Sequence, residues 1–279
     1  MKPINFNYER ASSIVDAINL LSEQNVFAKI IAGSQSLGPM LNLRIAQPEL
    51  LIDITSIREL TDVASTQDRI DLGACITHAD IEDGRVPDPS NGLLPHVAGS
   101  IAYRAVRNRG TIGGSLAHGD PAADWISIFP LLDAEVVASS RRGKRTIPAA
   151  EVLVSSFTTV LAQDELIETV RVPRLSDRAR WGVYKINQKE GEFAHTIAGV
   201  LHDPEHGRFR AVIGAIETAP IVVADAGALF SGPYGPDLAE RINQKLVERM
   251  LDEHGVRDAY TRQLALTALK RAARGASAS

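Results

Sequence analysis

The sequence predicts an α+β fold with three parts: a small βαβ lobe, a larger lobe of mixed or antiparallel strands, and a C-terminal three-stranded sheet with helices. Three observations indicate this class. Apolar residues at helical spacing and two apolar strand-like runs open the chain. Hairpin-like strand pairs lie in its middle, and two amphipathic helices close it. The polar run PRLSDRAR, residues 173–180, predicts a boundary between domain 1–175, with lobes of about 1–56 and 57–175, and domain 178–279.

The first lobe begins with a predicted helix at residues 12–24. Its apolar side chains recur at helical spacing, and the pair Ser13 and Asp16 forms a capping pattern at its start. Apolar runs at 29–32 and 50–54 predict two strands with a crossover between them. Strand, crossover and strand in this order indicate a βαβ unit.

The larger lobe is predicted from two hairpins, a helix and a final strand. Residues 60–64 and 69–76 are joined by the polar STQD, which is typical of a hairpin. A helix-like segment follows at 122–132. The strands EVVASS and RTIPA are then joined by the basic turn RRGK, and ELIETVRVP closes the lobe as a strand.

The C-terminal part is predicted to contain three strands, at 182–186, 196–202 and 209–217, and two helices, at 236–254 and 258–273. Each helix carries an apolar stripe that we expect to face the core. The stripes are Leu238, Ile242, Leu246 and Met250 on the first helix, and Tyr260, Leu264 and Ala268 on the second. The tail RGASAS is predicted to be disordered.

Composition excludes several classes of protein. The chain has 279 residues, is 44% hydrophobic and carries a formal net charge of −4, so it can bury a large core and offers no basic field for nucleic acid or an anionic membrane. The opening MKPINFNYER lacks the apolar region of a secretory signal, and no apolar run approaches the length of about 18 residues that a membrane span needs. We therefore expect a cytoplasmic protein without a membrane span.

No catalytic or metal-ligating group is predicted on this chain. The single cysteine, Cys75, lies in an apolar strand-like run where a buried structural role is expected, and one thiol cannot supply an iron–sulfur cluster or a Cys₄ zinc site. His202 and His206 have a metal-ligand spacing only in a helix, and Pro204 between them predicts a hairpin turn instead. Any metal centre that works with this protein must therefore lie on another chain.

Two glycine-rich runs carry the functional signal. AKIIAGSQSLGPM spans residues 28–40, and RNRGTIGGSLAHGDPAAD spans 107–124. Glycine lets a backbone approach a ligand closely, and N–H groups ahead of a helix suit a phosphate. Each run alone is equally consistent with an ordinary glycine-rich turn, and neither matches GxGxxG or GxxxxGK[ST]. Together they predict a clamp for the pyrophosphate of a dinucleotide.

The two runs resemble the flavin signatures of the FAD-binding medium subunit of molybdenum hydroxylases, the family of carbon monoxide dehydrogenase, xanthine dehydrogenase-like enzymes and bacterial N-heterocycle dehydrogenases. The AGGQS-type loop stands here as AGSQS at 32–36, and the TIGG[SN] loop as TIGGS at 111–115. The resemblance spans nearly the whole chain. It implies a two-lobed FAD-binding domain, with FAD extended between the first two lobes and touching the third part.

The resemblance implies fifteen cofactor-binding residues. They are Ile31, Ala32, Gly33, Ser34, Gln35, Ser36, Leu37, Thr111, Gly113, Gly114, Ser115, His118, Asp120, Asp124 and Lys185. Carboxylates that follow a phosphate-binding turn can accept hydrogen bonds from ribityl or ribose hydroxyls. Two alternatives stay open in this region: Asp124 caps the following helix, and His118 is a solvated loop residue. The arginines at 104, 107 and 109 are equally consistent with a solvated charge cluster.

The run VYKINQKEGEFA resembles the family segment FxKxxxRxGDxA, which lies against the isoalloxazine ring. Lys185 matches the family lysine and would offset negative charge on a reduced flavin, whereas a surface lysine on an alternating strand is the alternative. Lys189 and Glu192 depart from the pattern, and Phe193 is a candidate to stack on the ring. Ser34 replaces a family glycine, which costs about 1 kcal/mol if the position needs a positive φ.

By this resemblance, the protein is the flavoprotein subunit of an oxidoreductase complex. An iron–sulfur small subunit with 2Fe–2S clusters would pass electrons from a molybdopterin large subunit to the FAD, which would reduce an external acceptor. The complex would be a dimer of heterotrimers. Three alternatives remain: a self-sufficient FAD-dependent oxidoreductase of the same fold, a scaffold subunit that has lost flavin, and a nucleotide-binding regulatory module.

Overall fold

The computed structural model describes residues 2–23 and 26–278. Its first sheet has three parallel strands in the order β1–β3–β2, formed by β1 (Asn7–Arg10), β2 (Ala28–Ile31) and β3 (Leu50–Asp53). The helices α1 (Ile14–Leu21) and α2 (Leu37–Asn42) connect the strands. The predicted βαβ unit is confirmed, and β1 is an addition, because its exposed residues NYER have no apolar alternation that marks a strand.

The predicted cap of α1 is confirmed, because the Ser13 hydroxyl accepts a hydrogen bond from the Asp16 backbone N–H at 3.1 Å. The helix ends at Leu21. Gln24, at the end of the predicted helix, lies outside the described residues.

The second sheet is antiparallel and has five strands in the order β4–β5–β10–β6–β7. Both predicted hairpins are confirmed, and the predicted closing strand, β10, pairs between them at the centre of the sheet. A separate two-stranded hairpin, β8–β9, follows β7. The strands are β4 (Val63–Ser65), β5 (Arg69–Gly73), β6 (Glu135–Ser140), β7 (Gly143–Pro148), β8 (Leu153–Ser155), β9 (Thr158–Thr159) and β10 (Leu166–Pro173).

Five helices lie between β5 and β6 in the sequence. They are α3 (His78–Glu82), α4 (Leu93–Ser100), α5 (Arg104–Arg107), α6 (Ile112–His118) and α7 (Asp124–Leu131). Every residue of α7 is buried, because this helix packs against two strands of the third sheet, β12 (Thr196–Asp203) and β13 (Arg208–Gly214), as well as within its own lobe. The first turn of α7 therefore places a carboxylate, Asp124, inside the protein.

The third sheet has four antiparallel strands, so the predicted count of three is wrong by one. They are β11 (Arg180–Ile186), β12 (Thr196–Asp203), β13 (Arg208–Gly214) and β14 (Ile221–Val223), in that order. The added strand, β14, has only three residues and follows a proline, so it leaves no detectable alternation in the sequence. The α+β class is confirmed, and the domain boundary at 175–178 stays a prediction.

The two C-terminal helices differ from their predicted extents. Helix α8 (Gln244–Glu253) begins later than predicted, because Asn243 caps it and the preceding residues form turns. Helix α9 (Ala259–Ser277) continues through most of the tail that was predicted to be disordered. Its buried face consists mostly of alanines. Of the predicted stripe, Ala268 is buried, Leu264 is half-buried and Tyr260 is 65% exposed. The buried residues are Ala265, Ala268, Leu269, Ala272, Ala273 and Ala276.

The HDPEHG run joins β12 to β13 as the predicted hairpin turn. Within it, Asp203 is fully buried and joins the turn to the segment that leads into the third sheet. Its carboxylate accepts hydrogen bonds from the Ser176 backbone N–H at 3.0 Å and the Ser176 hydroxyl at 2.5 Å, and pairs with His206 Nδ1 at 2.7 Å. No cluster of potential metal ligands occurs among the described residues. Across those same residues, no helix is long and apolar enough to cross a membrane.

Asp203 should make the stability of the protein sensitive to acid. Burial raises the pKa of Asp203, but the hydrogen bonds from Ser176 and His206 outweigh burial and lower the pKa to about 2. The group therefore stabilises the fold above its unfolded pKa of about 3.9, and this stabilisation of about 2 kcal/mol is lost as the pH falls from about 4 to about 2. Urea unfolding at a series of pH values should show Asp203→Asn less stable than wild type at pH 7, with the difference shrinking below about pH 4. The control is Asp177→Asn, which changes an exposed carboxylate next to Ser176 in sequence. If the stability difference between Asp203→Asn and wild type does not vary with pH, the prediction is contradicted.

Candidate functional site

The two glycine loops predicted from the sequence lie directly against each other. A Cβ atom on Gly33 would stand 1.9 Å from the carbonyl oxygen of Arg109 and 2.9 Å from the Cα of Gly110. Real Cβ atoms do not approach a backbone this closely, so only glycine fits at position 33. The structure therefore brings the AGSQS loop against the residues directly before TIGGS, although 74 residues lie between the two motifs in sequence.

The first loop joins β2 to α2. Ile31 ends the strand, Leu37 begins the helix, and both are half-buried. The Gln35 amide nitrogen donates to the Gly33 carbonyl oxygen at 2.8 Å, which stiffens the turn. Ser36 occupies the cap position of α2 without a side-chain capping bond. Its hydroxyl is thus not used by the helix, and the half-buried Ala32 precedes the turn.

Ser34 adopts the left-handed conformation that the family glycine would adopt freely, with φ of 60°. An L-residue in this region is strained by about 1 kcal/mol. We expect Ser34→Gly to raise the free energy of unfolding by up to about 1 kcal/mol, because glycine relieves the strain, with part of the gain offset by the larger entropy of the unfolded chain. Urea unfolding of the two proteins measures the change. A clear loss of stability in Ser34→Gly would show that the Ser34 side chain contributes more than its backbone costs.

The second loop opens helix α6. The Thr111 hydroxyl accepts a hydrogen bond from the Gly114 backbone N–H at 3.1 Å and so caps the helix. Gly113 is buried, and a Cβ there would stand 2.5 Å from the Ala74 Cβ. Gly114 is exposed, and the nearest atom to its Cβ position is the Thr111 hydroxyl oxygen. Gly113 thus anchors the loop, whereas Gly114 and the half-buried Ser115 form its accessible side.

The segment after α6 turns back towards the third sheet. His118 ends the helix with its ring centroid 5.2 Å from that of Phe157, and burial lowers the pKa of His118. This half-buried ring is not a freely solvated loop residue. Asp120 accepts a hydrogen bond from the Ala122 backbone N–H at 2.9 Å and so closes a turn. Both residues remain accessible in part.

Asp124 and Lys185 form a buried ion pair between α7 and β11. The Lys185 Nζ lies 3.0 Å from the Asp124 Oδ2, and the two side chains are 11% and 9% exposed. Burial raises the pKa of Asp124, and the positive charge of Lys185 opposes that rise. Two alternatives are therefore wrong: Lys185 is not a surface lysine, and Ala123 rather than Asp124 occupies the cap position of α7.

The arginines before the second loop have different surroundings. Arg104 and Arg107 pair with acids of the α3 region, and Arg107 contacts Glu82 at 2.7 Å. Arg107 also donates to the carbonyl oxygens of Ile101 and Ala102, so it is a structural group rather than part of a solvated cluster. Arg109 is exposed and forms no ion pair within the described part of the chain.

The segment that resembles the isoalloxazine-facing run lies beside the residues that precede α5. A Cβ on Gly191, whose φ is 83°, would stand 2.8 Å from the Ala102 carbonyl oxygen. Lys189 Nζ lies 6.0 Å from the centre of the Tyr103 ring, and Phe193 is 68% exposed. Tyr103 was not predicted at the site. No periodicity marks it, because the contact depends on how the third sheet packs.

His78 and Trp125 were also missed as neighbours of the glycine loops. His78 begins α3. The sequence places it 32 residues before Gly110, and no local pattern predicts that the imidazole lies beneath that glycine.

Two glycine loops lie in contact, one between strand β2 and helix α2 and the other between helices α5 and α6, and a buried acid–lysine pair lies at the end of the second run. Together they define a dinucleotide-binding protein of the α+β class. Residues 4–175 match the family described as the FAD binding domain in molybdopterin dehydrogenase. The chain belongs to this family. The FAD cofactor and the oxidoreductase class implied by the resemblance are thereby confirmed.

Relatives and a solved structure agree with this assignment. The alpha subunit of the 6-hydroxypseudooxynicotine dehydrogenase complex of Paenarthrobacter nicotinovorans is 40% identical over 194 residues, which cover 70% of this chain and 66% of that protein. The nicotine 6-hydroxylase medium subunit of the same organism is 33% identical over 266 residues, covering 91% of this chain and 92% of that protein. A carbon monoxide dehydrogenase structure from Hydrogenophaga pseudoflava superposes with a TM-score of 0.89 at 29% identity, covering 100% of this chain and 99% of that one.

Proposed function

We propose that this chain is the electron-transfer subunit of a heteromeric molybdenum hydroxylase and passes electrons from partner iron–sulfur clusters through FAD to an external acceptor. The observation that carries the proposal is the contact of Gly33 with Arg109 and Gly110, which sets the loop between β2 and α2 against the loop that opens α6. A dinucleotide with a pyrophosphate at its centre is the ligand that suits two such loops.

The residues around these loops fit FAD. The AGSQS loop from Ala32 to Ser36 and the accessible side of the TIGGS loop, Gly114 and Ser115, would hold the pyrophosphate. Ser36 and Ser115 add hydroxyl groups there, and Ile31, Leu37 and the Thr111 cap hold the two loops to their strand and helices. His118, Asp120 and Asp124 follow the second loop, where acceptors for ribityl or ribose hydroxyls would lie. The bound FAD would supply the redox chemistry, and the protein would bind and orient it.

Lys185 is the residue of this chain that would respond to the charge of the cofactor. Its ammonium group is mostly buried, where solvent screening is weak and a charge acts strongly on its neighbours. Asp124 balances this charge in the protein as it stands. We infer that the pair holds the lysine in place, so that its positive charge would offset negative charge that arrives on the cofactor with the electrons.

The chemistry of Cys75 supports the assignment of metal centres to partner subunits. Burial raises the pKa of this thiol to about 12, and the Asp53 carboxylate adds to the rise. An iron–sulfur cluster needs four ligands, mostly thiolates, so one protonated thiol cannot hold it. We propose an iron–sulfur small subunit with 2Fe–2S clusters and a molybdopterin large subunit as partners, in a dimer of heterotrimers, and the nicotine 6-hydroxylase relative is likewise a medium subunit by name.

Two preparations test the proposal: the assembled complex and the isolated chain. The protein co-expressed with the proposed small and large subunits should retain a flavin that elutes as FAD rather than FMN after denaturation. FMN lacks the pyrophosphate that the two loops would bind. Given an added reductant, the isolated chain with FAD should show at most weak diaphorase-type activity, in which electrons pass from that reductant to an artificial acceptor. It should not turn over purines, N-heteroaromatics, aldehydes or carbon monoxide. FMN, or no flavin in the assembled complex, would contradict FAD binding at this site. Robust substrate turnover by the isolated chain would instead support a self-sufficient oxidoreductase.

A further inference from the structure

A buried imidazole lies beneath the second glycine loop. His78, the first residue of α3, is 5% exposed, and its Nδ1 accepts a hydrogen bond from the Trp125 Nε1–H at 3.1 Å. Trp125 is fully buried in α7. Neither side chain is among those proposed to hold the flavin. Both are buried and polar, and they are joined by a hydrogen bond at the base of that site.

The hydrogen bond fixes the tautomer of the imidazole. Because Nδ1 is the acceptor, the neutral ring carries its proton on Nε2. Burial lowers the pKa of His78 to about 4, and the positive charge of Arg107 contributes to the shift. The other charged groups on the surrounding helices are already paired: Asp80 with Arg85 and Glu82 with Arg107 on the side of α3, and Asp124 with Lys185 at the start of α7. The ring is therefore neutral and singly oriented at pH 7.

The imidazole determines how closely Gly110 can approach. Its Cδ2 and Nε2 atoms each stand 2.8 Å from the position of a Cβ on Gly110. The His78 backbone N–H donates to the Gly110 carbonyl oxygen at 2.9 Å, and the Ile112 N–H donates to the Ile76 carbonyl oxygen at 3.1 Å. These two hydrogen bonds pair residues 76–78 with residues 110–112 as a short antiparallel β-bridge, and the His78 ring lies at one end of it.

Four groups are then stacked in contact from the core to the first loop. Trp125 orients His78, the His78 ring supports Gly110, and Gly110 lies against Gly33. A shift of the imidazole by a few tenths of an ångström would move Gly110, and the first loop would have to follow or separate.

We propose that His78 is a positioning residue that sets the gap between the two glycine loops, with Trp125 holding its ring in the required orientation. The inference rests on the proposed placement of FAD between these loops. A phenylalanine ring has no acceptor for the Trp125 N–H and no fixed rotation, whereas a glutamine oxygen can accept that hydrogen bond. The effect of the side chain should therefore follow its hydrogen bonding and not its bulk.

The test compares His78→Phe and His78→Gln with a matched control, His96→Phe, in which an exposed imidazole that packs on Trp181 is replaced. FAD binding to the flavin-stripped full chain is measured by fluorescence titration. We expect His78→Phe to raise the dissociation constant about tenfold, the change for one lost hydrogen-bonded contact, and His78→Gln to restore most of the affinity. The control should bind as wild type does. Equal affinity in His78→Phe and the control would overturn the inference.

Trp125→Phe covers the case in which His78→Phe does not fold. This variant keeps the imidazole, leaves an aromatic ring at position 125 and removes the donor, so ¹⁵N spectra of the imidazole should show that the proton is no longer confined to Nε2. Weaker FAD binding together with this change supports the inference, and unchanged binding overturns it.

A wild-type chain that binds no FAD would refute the proposed function rather than the positioning role. Hydrogen exchange of the His78 and Ile112 amides in the absence of FAD then decides the inference. Faster exchange in His78→Phe, with no change in the control, supports it, and equal exchange in the two variants overturns it.

Discussion

Gly33→Ala should fold and yet fail to retain FAD. The added methyl group would stand 1.9 Å from the Arg109 carbonyl oxygen, and no rotation of a side chain can relieve contact with a backbone atom. The first loop must therefore move away from the second, and a pyrophosphate can no longer contact both. We expect the dissociation constant of FAD to rise about a hundredfold or more, which corresponds to roughly 2.8 kcal/mol of binding free energy.

The control for this variant is Gly99→Ala. Gly99 lies in α4, and the atoms nearest its Cβ position are those of the Glu82 side chain at 3.7 Å and beyond, an ordinary contact. This substitution should leave FAD binding unchanged and favour the helix slightly. A titration measures the FAD affinity of both proteins. Circular dichroism checks that both are folded. A folded Gly33→Ala protein with wild-type affinity would show that the loops need not touch to bind the cofactor.

Gly182→Ala should strongly destabilise the C-terminal part of the protein. Gly182 lies in β11 directly under α9, where a Cβ would stand 2.1 Å from the Ala272 carbonyl oxygen and 2.4 Å from the Ala276 nitrogen. The helix would have to lift away from the sheet, and its buried alanine face would lose packing. We expect the free energy of unfolding to fall by about 3 kcal/mol.

The contact between β11 and α9 also supplies a matched control, in which the glycine on the helix is replaced instead of the glycine on the strand. Gly275 lies in α9 opposite Gly182, but a Cβ there would stand 3.3 Å from the Gly182 Cα and needs only a small adjustment. Gly275→Ala should therefore change the free energy of unfolding by less than about 1 kcal/mol, since alanine also favours the helix. Urea unfolding distinguishes the two substitutions. Equal losses of stability in both proteins would mean that the helix tolerates displacement from the sheet.

Local patterns in the sequence account for much of the fold. The Ser13 cap, the two hairpins of the second sheet and the turn at Pro204 each depend on neighbouring residues, and each is found where it was predicted. The cofactor class also follows from local sequence, because a phosphate loop needs glycine and small hydroxyl residues in a short run. A two-part signature of this kind resembles that of the family to which the chain belongs.

Errors arose where a short or small-residue segment takes its structure from distant partners. Ile221–Val223 is a strand only because β13 pairs with it. The tail after Ala273 has the composition of a disordered end, yet it is helical because Ala276 packs over the third sheet, close to Gly182. Burial of this small-residue face offsets the weak local signal.

By itself, the sequence determined the fold class and the two glycine loops, because each element and each loop is encoded by neighbouring residues. The resemblance of the two loops to a known family implied the cofactor. Only the tertiary structure decided that Gly33 lies against Arg109, that Asp124 pairs with Lys185, and that His78 lies beneath the second loop. These contacts join segments far apart in sequence, so no periodicity or spacing records them. They form because the sheets and helix α7 pack together, and close packing leaves a single arrangement of the loops at their junction.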